Sequence, residues 1–288
     1  GIVSEFDRLF ARTRTAFNQE RVFQRGRALA LTALLALGKR TISGMLSAGG
    51  KQTQDWSAAY RIFEKGRIKQ RELFSPVLER VLENTGKHGP LFTMMDDTLV
   101  RKRGRKVSGA NWKRDPLGPA FHTNFVWGQR YLQISAALPD FEVEGRARGV
   151  PLGFHHAPTP AKPHKNARPE EWDEYRRQRE LCKVSTVGSQ RLAELRAQIP
   201  GRKMVCAVDG GFTNKEVFRS VPENTVLIGR IRKDAALFKI PEAPLGATRG
   251  RKRYYGDPMP TPEQVRQDEA APWQKVSAFA AGKAVGVR

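Results

Sequence analysis

The sequence is short of cysteine, of acidic residues and of long apolar runs, and each shortage narrows what the chain can be. Two cysteines, Cys182 and Cys206, in 288 residues provide no disulfide framework and fit a reducing compartment. The longest apolar run, Ala28 to Leu37, is interrupted by Thr32 and closed by Gly38-Lys39-Arg40, too short a stretch to span a bilayer. Glu5, Asp7 and Arg8 break up the first residues, so no secretory leader is visible there. No glycine-rich loop ends in Gly-Lys-Ser or Gly-Lys-Thr, which argues against a nucleotide-driven motor.

The scarcity of acid matters most. Lys and Arg number 51 against 29 Asp and Glu, a formal net charge of +22, and the pI is about 10.5. Such an excess calls for a polyanionic partner, and DNA or RNA fits better than a membrane because no strongly amphipathic basic helix stands out. Hydrophobic residues make up 39% and charged residues 28%, enough for one substantial core and a smaller second one.

Residues 1–88 read as helical. Trp56, Ala59, Tyr60 and Phe63 share one helical face, and Leu73, Val77, Leu78, Val81 and Leu82 repeat the pattern. Thr41 is placed to cap a helix beginning at Ile42. A helix-turn-helix arrangement follows, in which a second helix with Lys51, Arg61, Lys65 and Arg67 in or near it faces DNA; the alternative is an ordinary helical domain with a wet basic surface.

Strand signals begin at residue 91. Leu91 to Thr98 is an apolar run ending in Asp96, Asp97 and Thr98, where the two acids either bind a divalent cation or cap a turn. His122 to Trp127 and Tyr131 to Ala136 flank Gly128-Gln129-Arg130, which predicts a hairpin, and His122 opens its first strand as a packing residue. Pro151 to Pro169 reads as a polar loop. Glu170 to Ile199 reads as one long helix or two divided at Gly188, with Leu181, Val184, Leu192 and Leu195 inward.

Met204 to Asp209 is a second apolar run ending in an acid. A helical crossover between parallel strands sets their C-terminal ends side by side, and so predicts Asp209 beside Asp96. Thr213 is placed to cap a short helix through Phe218, and Thr225 to Ile231 gives a fifth strand. Three strands, helix, strand, helix, strand is the element order of an α/β ribonuclease H-like fold: a mixed five-stranded sheet with flanking helices, preceded here by an all-α N-terminal domain. The expected divisions are 1–88, 89–240 and a basic Pro/Gly-rich segment, 241–288.

The Met95-Asp96-Asp97-Thr98 strand end, the 122–136 stretch, Val208-Asp209-Gly210-Gly211-Phe212-Thr213-Asn214 and Leu227-Ile228-Gly229-Arg230-Ile231-Arg232-Lys233-Asp234 together resemble bacterial insertion-sequence transposases of the DDE superfamily. The resemblance implies DNA strand cleavage and transfer at the ends of a mobile element, with two Mg²⁺ or Mn²⁺ ions held by two Asp and one Glu. Asp209 matches the second Asp. An acid followed by one residue and then Thr points to Asp96 for the first, with Asp97 as its alternative because the strand register is open. The family's Glu-bearing helix is not found; Glu263 and Glu269 lie in a Pro-rich stretch poorly suited to a helix-borne ligand, and the expectation is that the chain breaks off before that Glu.

Double-stranded DNA is the expected partner, contacted at its phosphates by Arg101, Lys102, Arg103, Arg105 and Lys106 and by Arg249, Arg251, Lys252 and Arg253. Action on two element ends favours a homodimer, working in the cytoplasm at the nucleoid. A DNA-binding protein without chemistry and a stand-alone nuclease of the same fold are the competing readings. His155, His156, His164 and Cys182 lack the paired spacing of a zinc site.

Overall fold

The computed structural model describes residues 1–64, 66–86, 89–115, 117–119, 121–140, 146–241, 254–272, 274, 276–280 and 283–287. The first part is helical: α1 (Ile2–Ala11), α2 (Glu20–Leu35), α3 (Ile42–Ala48), α4 (Ser57–Tyr60) and α5 (Gln70–Asn84). Thr41 caps α3 as its position implied, its hydroxyl accepting from the Gly44 N–H. Phe17 and Phe23 meet edge to face at 5.5 Å within a cluster that also buries Val22, Leu29, Leu46 and Ile62. The basic second helix of a helix-turn-helix does not form. Ser57–Tyr60 is a single turn running into a 3-10 turn, Arg61–Phe63, and Lys51 and Arg67 lie outside helices; Lys65 falls outside the described residues. Gly50 and Gly66, both at positive φ, bound the stretch and stop a helix from extending through it.

α5 joins this cluster to the sheet: Leu73 packs against the helical cluster, while Leu78 and Val81 are buried in the sheet's core. The sheet consists of β1 (Leu91–Arg101), β2 (Asn111–Arg114), β3 (Phe125–Pro139), β4 (Ala147–Ala157), β5 (Met204–Val208) and β6 (Thr225–Gly229), with α6 (Pro169–Leu181) and α7 (Val184–Ala197) between β4 and β5 and α8 (Lys215–Arg219) between β5 and β6. The order is β4-β3-β1-β5-β6, antiparallel from β4 to β1 and parallel from β1 to β6; short β2 lies beside β3 as well. This is the mixed, helix-flanked sheet of a ribonuclease H-like fold. After it come β7 (Leu237–Phe238), β8 (Pro258–Met259), α9 (Pro262–Gln267), β9 (Val276–Ala280) and β10 (Lys283–Val287). No described helix is long and apolar enough to cross a membrane.

Several local expectations are overturned. Residues 125–139 form one unbroken strand, not a hairpin around Gly128. A Cβ on Gly128 would lie 2.8 Å from the Val100 carbonyl oxygen, so this glycine permits close approach of β1 and β3 rather than a turn. His122 is exposed ahead of that strand. Residues 151–157, read as loop, belong to the edge strand β4, where Pro151 sits opposite Ser135 at a register shift and its missing N–H is tolerated. The two crossover helices separate at Cys182-Lys183, where Lys183 is extended, and not at Gly188. Leu192 and Leu195 face inward as expected, Val184 is partly buried, and Leu181 is 47% exposed. Asn214, not Thr213, caps α8 by accepting from the Val217 N–H.

Gly188 is buried in mid-helix because α7 crosses tightly over β1: a Cβ there would lie 3.0 Å from Phe212 Cε1 and 3.2 Å from Met95 Cε. One face of the sheet is therefore closed by α5 and α7. The other carries Phe92, Met94 and Ile228, 53%, 41% and 56% exposed.

Candidate active site

Leu91, Thr93 and Met95 are buried while Phe92, Met94 and Asp96 are exposed, the alternation of a strand with one covered face. In the parallel β1–β5 pair the register runs from Leu91 opposite Met204 to Met95 opposite Val208. The next residues, Asp96 within β1 and Asp209 just past the end of β5, therefore stand side by side where the parallel pairing stops, at a strand separation of about 5 Å. Both are exposed. Asp96 Oδ1 accepts from the Asp97 N–H at 2.8 Å, and Asp209 Oδ1 accepts from the Gly210 N–H at 2.6 Å. Each carboxylate keeps its second oxygen free of hydrogen bonds from the described residues.

Asp97 turns the other way, to the helix-covered face shared with Met95, where Arg130 Nε lies 3.3 Å from its Oδ2. Burial pushes the Asp97 carboxyl above its ordinary value; Arg130 pulls it back, and the charges of Asp96 and Asp209 push it further up. The three acids thus sense one another although they occupy two faces. Among the described residues no three His, Cys, Asp or Glu side chains gather where they would hold one ion.

Two adjacent, exposed carboxylates with uncommitted oxygens suit a hard divalent cation such as Mg²⁺ or Mn²⁺, which keeps several waters, so the donor chemistry fits this class of metal. The turn after Asp209 is held by Thr213, whose hydroxyl donates to the Arg230 carbonyl at 2.8 Å and lies 2.9 Å from that of Gly210. Glu263 sits on a helix after all: Thr261 caps α9, and Pro262 takes the first helical position, where a missing N–H is harmless. Its carboxylate is engaged by Arg266 at 2.7 Å.

Of the first basic cluster, Arg101 pairs with Asp115 at 2.7 Å, Lys102 is half-buried, and Arg103, Arg105 and Lys106 are exposed in the loop leaving β1 at the same end as Asp96. Arg249, Arg251, Lys252 and Arg253 lie outside the described residues. Sequence reasoning missed Arg130, taken for a hairpin-loop residue. The period-two run Arg130, Leu132, Ile134 was the signal that it belongs to a strand and shares the buried face.

A family model described as DDE superfamily endonuclease matches residues 14–284 of the chain. No curated protein matches it.

Proposed function

Because the chain belongs to the DDE superfamily endonucleases, we propose that it acts as a transposase, cutting and joining DNA strands at the ends of a mobile element with Mg²⁺ or Mn²⁺ held by Asp96 and Asp209. The observation that carries this reading is the β1–β5 register, which brings two carboxylates from positions more than a hundred residues apart to the point where that pairing stops. Asp96 and Asp209 would hold such ions, whose chemistry would be to activate the attacking water or 3′-hydroxyl and to stabilise the leaving oxygen. The protein's own residues do the rest. Asp96 and Asp209 are each oriented by the N–H of the following residue, and Arg103, Arg105 and Lys106 contact backbone phosphates beside them.

A second reading, a DNA-binding protein that does not cut, is favoured by the presence of only two carboxylates together among the described residues. The experiment that separates the two measures Mg²⁺-dependent cutting of DNA bearing the element's ends, alongside binding to the same DNA. Cutting that disappears in Asp209→Asn while binding survives supports the transposase. Cutting that persists in Asp209→Asn sinks the site assignment, and binding without any cutting by the unaltered full-length protein favours the second reading.

A further inference from the structure

A cleft of about 400 Å³ opens on the helix side of the sheet, between β2, the first half of β3, the chain leaving β4 and the junction of α6 with α7. Lys113, Arg130, Arg179 and Lys183 line it, with Ser185 from the first turn of α7 and Gly211 from the turn after Asp209, and among the described residues no carboxylate forms part of its wall. We propose that this cleft is a phosphate seat, holding a backbone phosphodiester of the DNA strand that the neighbouring acids act upon. The proposal rests on the transposase reading above and adds to it the residues that grip the strand.

The cations are under-compensated. Arg179 is exposed and has no hydrogen-bond or ion-pair partner among the described residues. Lys113 is half-buried, hydrogen-bonded among the described residues only to the Thr159 hydroxyl, and its ammonium is held below its ordinary pKa by burial and by Arg130, against the opposing charge of Asp97. Arg130 Nε is buried without a hydrogen bond, its contact with Asp97 being one of charge alone. Lys183 is neutralised by Glu180 at 2.5 Å and more distantly by Glu216. Crowding a half-buried ammonium against a guanidinium costs stability, and an anion in the cleft reverses that cost.

The geometry adds donors to the charge. Lys183, the residue before α7, provides no side-chain cap, so the first N–H groups of this 14-residue helix are open to an acceptor. Gly211 stands two residues beyond Asp209, and Arg130 is the ion partner of Asp97. A phosphate in the seat therefore lies beside Asp97 and the turn that follows Asp209 rather than on the outer basic loops, and binds there whatever the base sequence.

The test is fluorescence anisotropy with a labelled DNA duplex of arbitrary sequence, in EDTA so that neither metal nor cutting contributes, across a salt series. Arg179→Ala is expected to raise Kd roughly fivefold and to reduce the slope of log K against log salt by about 0.9, the loss of one phosphate contact. Arg219→Ala, an exposed charge-matched change on α8, leaves both unchanged. A second measurement needs no substitution: acetylation of Lys113, read by mass spectrometry, is lost when duplex saturates the protein. If Arg179→Ala binds like the unaltered protein and Lys113 labels equally with and without duplex, the phosphate seat is wrong while the transposase reading stands. If the unaltered protein binds no DNA, both fall together.

Discussion

Asp96 and Asp209 stand at the same level where β1 and β5 cease to pair, because Met95 and Val208 pair one residue earlier. Two carboxylates so placed repel when bare, and on the function proposed above they hold a divalent ion. Mg²⁺ at ten times its dissociation constant is expected to add about 1.4 kcal/mol to stability, a rise of about 3–5 °C in Tm. Asp209→Asn should abolish that rise without unfolding the turn, since an amide oxygen can still accept from the Gly210 N–H. An equal rise in the substituted protein, followed by circular dichroism, would place the metal elsewhere.

Asp97 should behave in the opposite way. Its carboxyl is raised above the unfolded value of 3.8 by burial, with Arg130 opposing and Asp96 and Asp209 assisting. Between 3.8 and that raised value the folded protein binds more protons than the unfolded chain, so this group's contribution to stability falls as pH rises through the window. Asp97→Asn mimics the protonated form. The metal-free variant should be as stable as the parent at neutral pH or more stable, by up to about 1 kcal/mol given its partial exposure, and should keep the Mg²⁺ response. Loss of that response in chemical denaturation would move the metal from Asp96 to Asp97.

The elements that could be read from sequence are those whose signals are local. Leu91 to Met95 and Met204 to Val208 are apolar runs ending in acids, and Thr41 announces its helix by the residue type a cap requires. What escaped depends on partners distant in the chain. Gly128 looks like a turn until the Val100 carbonyl is placed 2.8 Å from its missing Cβ, and Pro151 argues against a strand until β4 is known to be an edge. Arg130 and Lys113, on different strands, share a cleft that only the folded chain forms. Gly188 invites a helix break by its propensity, yet Phe212 and Met95 need the space that it leaves.

His155 is expected to make the fold acid-sensitive. On β4 it faces Arg71 and Arg191, both paired with Glu194, and burial, reinforced by the two guanidinium charges, lowers its pKa from 6.5 to about 4. The unfolded chain takes up the proton first, so stability is lost as pH falls from 6.5 toward 4 and the loss levels off below that. The full shift is worth about 3 kcal/mol, and screening at this half-buried position reduces it to about 1–2 kcal/mol. His155→Gln should flatten the Tm profile between pH 6.5 and 4.5; an unchanged profile would assign the acid sensitivity to other groups.

The turn that presents Asp209 depends on a fit between Thr213 and Gly229. A Cβ at residue 229 would fall 2.0 Å from Thr213 Cγ2, and Thr213 cannot move away without losing its hydroxyl contacts to the Gly210 and Arg230 carbonyls. Gly229→Ala should therefore cost about 1–3 kcal/mol, as overpacking does. It should also weaken the Mg²⁺ response, because Gly210 donates the hydrogen bond that orients Asp209. Adding Thr213→Ser removes the clashing methyl and keeps the hydroxyl. The double variant is expected to recover most of the lost Tm and the metal response together, whereas Thr213→Val, which keeps the bulk and discards the hydroxyl, should rescue neither. Full recovery with Thr213→Val would show that the hydroxyl does not hold the turn.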